Sequence, residues 1–558
     1  MFPSPIPDPR AQATSNNTDD KSGAVGVVGL DGFNAAGESK DVDPRSQSGA
    51  LDVDVEDEQN GSVLTPPDAL VERPELWSYY VYYIGLNGLG PFNFGPTAFQ
   101  NLLSQAAPES GLLRFAGSDR DVASIVLVAN GISFALQAVL FLFIGSYADF
   151  GTGRRWILVF WSLVAFGIGF AWLGVDKPEQ WHTAAALYMV GLISYQLTLT
   201  YWTAAFPALA RNTGRSQEAF RSMEQGAVEE AHYNQVREME RSRISNVAFY
   251  VQSLGELVIL AIIVGVMFAV HVNDSVEANN RGLSVLIATA TAFAVALALP
   301  WFWYEETRPG LPLPKGKTIF TAGFWQLKEA LSKIWHLKQS LIYLVGYFLL
   351  GDSLNTTVTV IGTLQNEVVA YNTLQLTYLL IVGIAAQAAG IGAYWWLQKR
   401  FQLSAKTMFN AIMAAIILLD LWGMIGNWTQ KFGFHNLWEI WCYQAFYGLF
   451  VCQWYSYSQI LISAVSPPRY EFFFFSLFSI IGKTSSFIGP LVSSAIIDRT
   501  PNKSNNSAPF YFLFGLTLLS AAFIWFFLDL DKAAEEQRAF LKQEMAKLED
   551  SQLSSPPV

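Results

Sequence analysis

Cysteine and histidine are scarce in this chain, two and five among 558 residues, and charged residues make up only 15% of it. Each shortage closes off a class of function. Cys442 and Cys452 stand about 15 Å apart along one predicted helix, beyond disulfide reach, so there is no disulfide framework and no thiolate cluster. His182, His232, His271, His336 and His435 fall in loops or at the ends of apolar segments, which leaves histidine catalysis and metal binding without a constellation. The stretch Gly482-Lys483-Thr484-Ser485 ends like a phosphate-binding loop, but Leu477 stands where the first glycine is required. Gly85, Gly88 and Gly90 miss the dinucleotide spacing, and no G-x-S-x-G elbow is present. The expectation is a protein that is not an enzyme, with no cofactor, no metal and no nucleic-acid partner.

What is abundant is apolar surface: 52% of residues are hydrophobic, 15% are aromatic, and the mean hydropathy is +0.27. Twelve apolar segments, each about long enough to cross a bilayer, are read at 76–104, 122–148, 155–174, 182–209, 245–271, 282–304, 339–363, 373–397, 406–426, 437–465, 472–497 and 509–530. The fold class this predicts is an all-α membrane protein of twelve transmembrane helices in two six-helix halves. The halves are expected at 73–304, with a polar loop at 210–243, and at 339–530. Residues 305–338 form a central loop with an amphipathic stretch near Phe324 to Trp335, and 531–558 form a tail. Residues 1–72 are acidic, rich in Ser, Gly and Pro, and read as a disordered tail; they supply most of the net charge of −11, which therefore says nothing about the membrane region. They also lack an apolar core of signal-peptide type, so the first span is expected to direct insertion.

Lys and Arg concentrate in alternate loops, and the positive-inside rule then places both termini in the cytosol. The N-x-Ser/Thr sequons at Asn273, Asn427, Asn502 and Asn505 all fall on the opposite side in this topology, which makes them candidate glycosylation sites. Those at Asn16 and Asn60 would face the cytosol.

An ionisable residue in mid-bilayer costs roughly 3 kcal/mol to insert and needs a partner or a task. Glu256, Asp352 and Lys483 lie near the middles of the fifth, seventh and eleventh spans, with Asp420 about a turn away in the ninth. One cation and several anions at similar depth form either a charge network that titrates during transport or a set of ion pairs that fixes packing. In the first span, Asn87, Gly88, Gly90, Pro91, Asn93, Gly95 and Pro96 predict a kink or break that frees backbone groups for a polar ligand. The fourth span offers Tyr195, Gln196, Thr200 and Thr203, and the tenth Tyr443, Gln444, Tyr447 and Gln453. The residues assigned to a substrate or proton pathway are Asn87, Asn93, Gln196, Glu256, Asp352, Gln444 and Lys483.

The loop after the second span reads GSYADFGTGRR over 145–155. Its small residues permit a tight turn, and Asp149 is placed to pair with Arg154 or Arg155 or to cap a helix. It resembles the loop 2–3 signature of the major facilitator superfamily, which implies a conformational latch made of Gly145, Asp149, Gly153, Arg154 and Arg155. More specific are ELWSYYVYYIGLNGLGPFNFGPTAFQNLL (75–103), WTAAFPALARN (202–212) and ISNVAFYVQSLGE (244–256). Together these resemble the fungal autophagy-related protein 22 family of vacuolar membrane proteins. The resemblance implies the superfamily fold with the first, fourth, seventh and tenth spans lining a central cavity. It also implies efflux of leucine-like neutral amino acids from the vacuole lumen to the cytosol after autophagic breakdown. Expected partners are an amino-acid substrate, the bilayer and protons. Two other readings stand beside this one: a membrane scaffold or regulator without transport, and a twelve-span transporter of the broken-helix type suggested by the first span.

Overall fold

The structure is a computed structural model that describes residues 69–108, 112–148, 153–271, 274–308, 335, 337–369, 373–468, 470–498 and 507–553. All of these belong to one compact unit, Ser62–Val558. The acidic tail, most of the central loop and the last five residues lie outside the described residues.

In chain order the helices are α1 (Arg73–Gly85), α2 (Gly95–Ala106), α3 (Val122–Ala148), α4 (Arg154–Ala171), α5 (Trp181–Arg211), α6 (Gly214–Glu224), α7 (Glu230–Ala269) and α8 (Val276–Tyr304) in the first half. The second half has α9 (Lys338–Val369), α10 (Thr373–Phe401), α11 (Ala405–Ile425), α12 (Leu437–Phe446), α13 (Trp454–Val465), α14 (Glu471–Asp498), α15 (Pro509–Phe527) and α16 (Leu530–Leu553). Helix occupies each of the twelve expected segments. Eight helices, α4, α5, α7, α8, α9, α10, α11 and α15, are long and apolar enough to cross a membrane by length and composition among the described residues. α3 and α14 contribute shorter apolar stretches, Val128–Phe141 and Glu471–Gly482. The first and tenth spans are divided.

The first span breaks where its sequence says it should. α1 stops at Gly85, Gly88 takes φ +82°, and a π-helical segment at Leu89–Phe94 carries Pro91 before α2 resumes. Proline has no N–H to continue an α ladder, and glycine enters the left-handed region without a Cβ penalty. The tenth span differs from the single helix expected for it. A π-helical turn at Tyr447–Val451 separates α12 from α13. Gly448 lies there against the backbone of α10, where a Cβ would stand 2.4 Å from the Gly383 carbonyl oxygen. The polar loop 210–243 holds α6, and from Glu230 onward it is α7, one continuous helix of 40 residues that becomes the fifth span. Leu112–Phe115 and Ser118–Asp121 form a two-stranded hairpin in the loop before α3, turning at Ala116 and Gly117, both at positive φ.

Packing explains the sequence stretches that carry the resemblance. Tyr79 and Tyr83, one helical turn apart on α1, stack on Trp202 of α5 with ring centroids 4.4 and 4.1 Å away, and Trp202 Nε1 donates to the Tyr79 carbonyl at 3.2 Å. Phe249 of α7 meets Tyr83 edge-on at 4.9 Å. α1 also packs on α8. In the second half α9 packs on α14 and α15, and α11 on α15. The halves meet where α7 runs along α10 and α13, and where α3 and α5 run along α14.

Both ends of the described chain lie at one end of the bundle, the termini face. Val71 N donates to the Asn212 carbonyl at the end of α5, at 2.9 Å. α16 is tied to the start of α9 by Gln339 N to Glu536 Oε2, 2.9 Å, and to the end of α13 by Gln537 Nε2 to the Ala464 carbonyl, 2.7 Å.

Candidate functional site

The centre of the molecule is built from the divided spans and from α5 and α7. Glu256 is buried on α7, where Gln252 Nε2 donates to its Oε2. Tyr83 of α1, Tyr195 of α5 and Cys452, just past the π turn, stand close enough to feel the Glu256 charge. Tyr195 donates to the Leu86 carbonyl, 3.3 Å away, so the break in the first span meets α5 beside this carboxylate. No Lys or Arg lies within ion-pair distance of Glu256 among the described residues. A buried carboxylate held only by an amide is poised to receive a cation or a proton.

The other sequence-selected residues separate into distinct places. Asp352 Oδ1 on α9 accepts from Gly489 N on α14 at 3.1 Å, a contact inside the second half. Asp420 accepts from Thr357 at 2.6 Å and Thr517 at 2.5 Å, which joins α9, α11 and α15 through both carboxylate oxygens and makes it a packing hub. Lys483 is in α14, and its side chain lies outside the described residues. Glu256 and Asp352 therefore belong to different halves and rest on different neutral partners. Gln444 donates to Gln365 Oε1 at 2.9 Å, Gln196 is buried on α5, and Asn93 sits in the π segment with its side chain outside the described residues. Asn87 Oδ1 accepts from Leu89 N at 2.9 Å, while its Nδ2 is buried with no hydrogen-bond partner. The sequence reading missed Tyr83 as a neighbour of Glu256, because lateral proximity between spans leaves no mark in a single sequence. It also missed Gln387 of α10, whose Nε2 reaches across the halves to Ser253 Oγ at 2.9 Å.

At the termini face Arg154 and Arg155 of the 145–155 motif meet the ends of other helices. Gly145 is in the last turn of α3, Asp149 lies outside the described residues, and Gly153 precedes α4. Arg155 donates to the carbonyls of Phe302 and Glu305 and so caps α8, whose last carbonyls carry the negative end of the helix dipole. Arg154 lies over the Phe472 ring at the start of α14, 5.5 Å from its centroid. Nearby, Arg308 makes a bidentate pair with Glu75 at 2.6 and 2.7 Å, nearly fully buried on both sides. Burial pushes the Glu305 carboxyl up to about 7, opposed by Arg154 and Arg155, and its Oε2 has no hydrogen-bond partner. Arg211 of α5 pairs with Glu471 of α14 at 2.7 Å across the halves. Further contacts between the halves run from here toward the middle: Gln398 Nε2 to Ser242 Oγ, 3.1 Å; Ser245 with Ser456, 3.0 Å; and Thr200 with Ser479, 3.0 Å.

Among the sequons, Asn427 is half-buried, and its Nδ2 donates to the carbonyls of Met424 at 3.1 Å and Ser507 at 2.9 Å. Asn273, Asn502 and Asn505 lie outside the described residues. No group of three or more His, Cys, Asp or Glu side chains is placed to hold a metal among the described residues.

The fold is that of the major facilitator superfamily. The chain superposes on the crystal structure of the human organic anion transporter MFSD10 (TETRAN) with TM-score 0.52 at 15% identity, covering 81% of this chain and 98% of that one. On the proton:xylose symporter XylE bound to 6-bromo-6-deoxy-D-glucose the TM-score is 0.56 at 13% identity, over 82% and 96% of the two chains. In sequence it is 24% identical over 460 residues to autophagy-related protein 22-1 of Phaeosphaeria nodorum, covering 77% of this chain and 80% of that one. It is 23% identical over 474 residues to autophagy-related protein 22 of Gibberella zeae, covering 75% and 70%. Residues 71–538, nearly the whole helical region, match the family described as "Vacuole effluxer Atg22 like". That match spans far more than half of the chain and agrees with the fold, and the chain therefore belongs to the vacuole effluxer Atg22-like family of multi-pass membrane transporters.

Proposed function

We propose that the protein exports neutral, leucine-like amino acids from the vacuole lumen to the cytosol by alternating access, with Glu256 receiving the substrate's ammonium group or a coupling proton. One observation carries the reading: Glu256 is buried where α1, α5, α7 and the tenth span converge, held by Gln252, with no cation within ion-pair distance among the described residues. A carboxylate at that depth is costly unless neutralised, and a zwitterion or a proton neutralises it. The family description supports the vacuole and efflux from it. Both termini, and hence the termini face, are assigned to the cytosol, with Asn273, Asn427, Asn502 and Asn505 on the lumenal side. In this scheme Gly145, Asp149, Gly153, Arg154 and Arg155 form the cytosolic latch, which sets the balance between two states. Asp352, Gln444 and Lys483 serve the second half's side of the pathway.

The test is counterflow of radiolabelled leucine in proteoliposomes, with and without a pH gradient. Wild type should exchange leucine, and Glu256→Gln should lower exchange at least tenfold while the protein remains folded and abundant. Undiminished exchange by Glu256→Gln together with an unchanged response to the pH gradient would remove that residue from the mechanism, and a wild type that moves no amino acid would leave a scaffold as the better reading.

A further inference from the structure

Behind the break in the first span is a cavity of about 80 Å³ inside the first half, walled by the break itself and by α4, α5 and α8. Part of its wall is made of small residues, Gly90, Ala165, Ala290 and Ala294. One water needs roughly 10–15 Å³ in this measure, so the space accepts a group of several heavy atoms. Its hydroxyls are already engaged. Tyr195 donates to the Leu86 carbonyl, Tyr188 to Asn130 Oδ1 at 2.8 Å, and Thr291 to the Ile287 carbonyl at 2.8 Å. The exception is Asn87, which lines the cavity with its Nδ2 buried and unpartnered. The space therefore offers a largely apolar chamber with an unpartnered amide at its edge.

The chamber adjoins the central carboxylate. Tyr195 lines it and also stands near Glu256. On the other side, Gly255 of α7 packs so closely on Ile84 of α1 that a Cβ there would stand 2.3 Å from the Ile84 Cγ2, which places Glu256 next to the start of the break. Building on the transport reading above, we infer that this chamber is a subsite for the aliphatic side chain of the substrate amino acid. Glu256 faces the substrate ammonium, Asn87 Nδ2 donates to its carboxylate, and the side chain occupies the space between α4, α5 and α8. The first half then sets side-chain specificity by itself. Charged side chains are excluded because nothing in the chamber replaces their hydration.

Counterflow of alanine, valine, leucine and phenylalanine in proteoliposomes tests this. Ala290→Leu and Ala165→Val crowd the chamber and should lower leucine exchange about tenfold while changing alanine exchange far less, as loss of room for a few methylenes requires. Leu187→Ala enlarges it without crowding and should raise phenylalanine relative to leucine, which keeps the test decisive if a crowding variant fails to fold. Asn87→Ala should weaken all four substrates alike. A leucine-to-alanine ratio that stays at the wild-type value in folded crowding and enlarging variants overturns the subsite and leaves the transport reading standing. A wild type that carries none of the four overturns both.

Discussion

At the residue scale the most consequential contacts are buried charges at the termini face. Glu75 and Arg308 are desolvated together and matched oxygen to nitrogen, so removal of one partner leaves the other buried without compensation. Glu75→Gln and Arg308→Ala are each expected to cost about 3–5 kcal/mol, and the double variant Glu75→Gln/Arg308→Met should recover most of the loss. Thermal melts of the purified single and double variants check this, and additive losses would contradict it. Glu305 behaves in the opposite sense. Its carboxyl titrates near 7 in the folded protein, above the ordinary carboxylate value. The folded state then holds the proton more tightly than the unfolded chain does, so stability falls as pH rises from about 4.5 to about 7 and levels off above. Glu305→Gln should flatten that part of the melting profile. Profiles that run parallel in wild type and variant would show that Glu305 is not the titrating group.

At the element scale, legibility in the sequence follows the origin of each constraint. The bilayer demands some twenty apolar residues per crossing, so the eight helices long and apolar enough to cross were readable from length and apolarity alone. The break in the first span was equally open, since Pro91 and Gly88 act on their own backbone. The π turn of the tenth span was not, because Tyr447–Val451 carries no local breaker beyond Gly448, and its cause is the close approach of α10. The same division applies to the site. Glu256 betrays itself by the expense of a mid-membrane carboxylate, whereas its neighbours Tyr83 and Cys452 come from other spans that only the fold brings near. Gly88→Ala, which forces a Cβ into the left-handed region, is expected to destabilise by about 1 kcal/mol. Gly448→Leu should be worse, since it drives side-chain atoms into the α10 backbone. Melting temperatures of the two variants rank the effects, and equal shifts would show that the approach of α10 at Gly448 relaxes at no expense.

For the molecule as a whole, the contacts between the halves that run from the middle to the termini face describe a bundle sealed at that end. The Arg211–Glu471 pair is a buried charged tie within it. Glu471→Gln should shift the population toward a state open at the termini face, read as faster thiol labelling of a cysteine placed at Ser479 from that side. Labelling at the wild-type rate would mean that the pair does not hold the seal. α7 extends past this seal: at its far end Glu230 pairs with Arg538 of α16, and in its membrane portion it carries Glu256. At 1.5 Å per residue, about 39 Å of unbroken helix separates those two glutamates. A tilt of about 10° pivoting at Glu256 would swing the Glu230 end by about 7 Å, about twice the reach of an ion pair. Because one unbroken helix carries both Glu256 and Glu230, any tilt of α7 would be felt at once in the membrane and at the C-terminal helix.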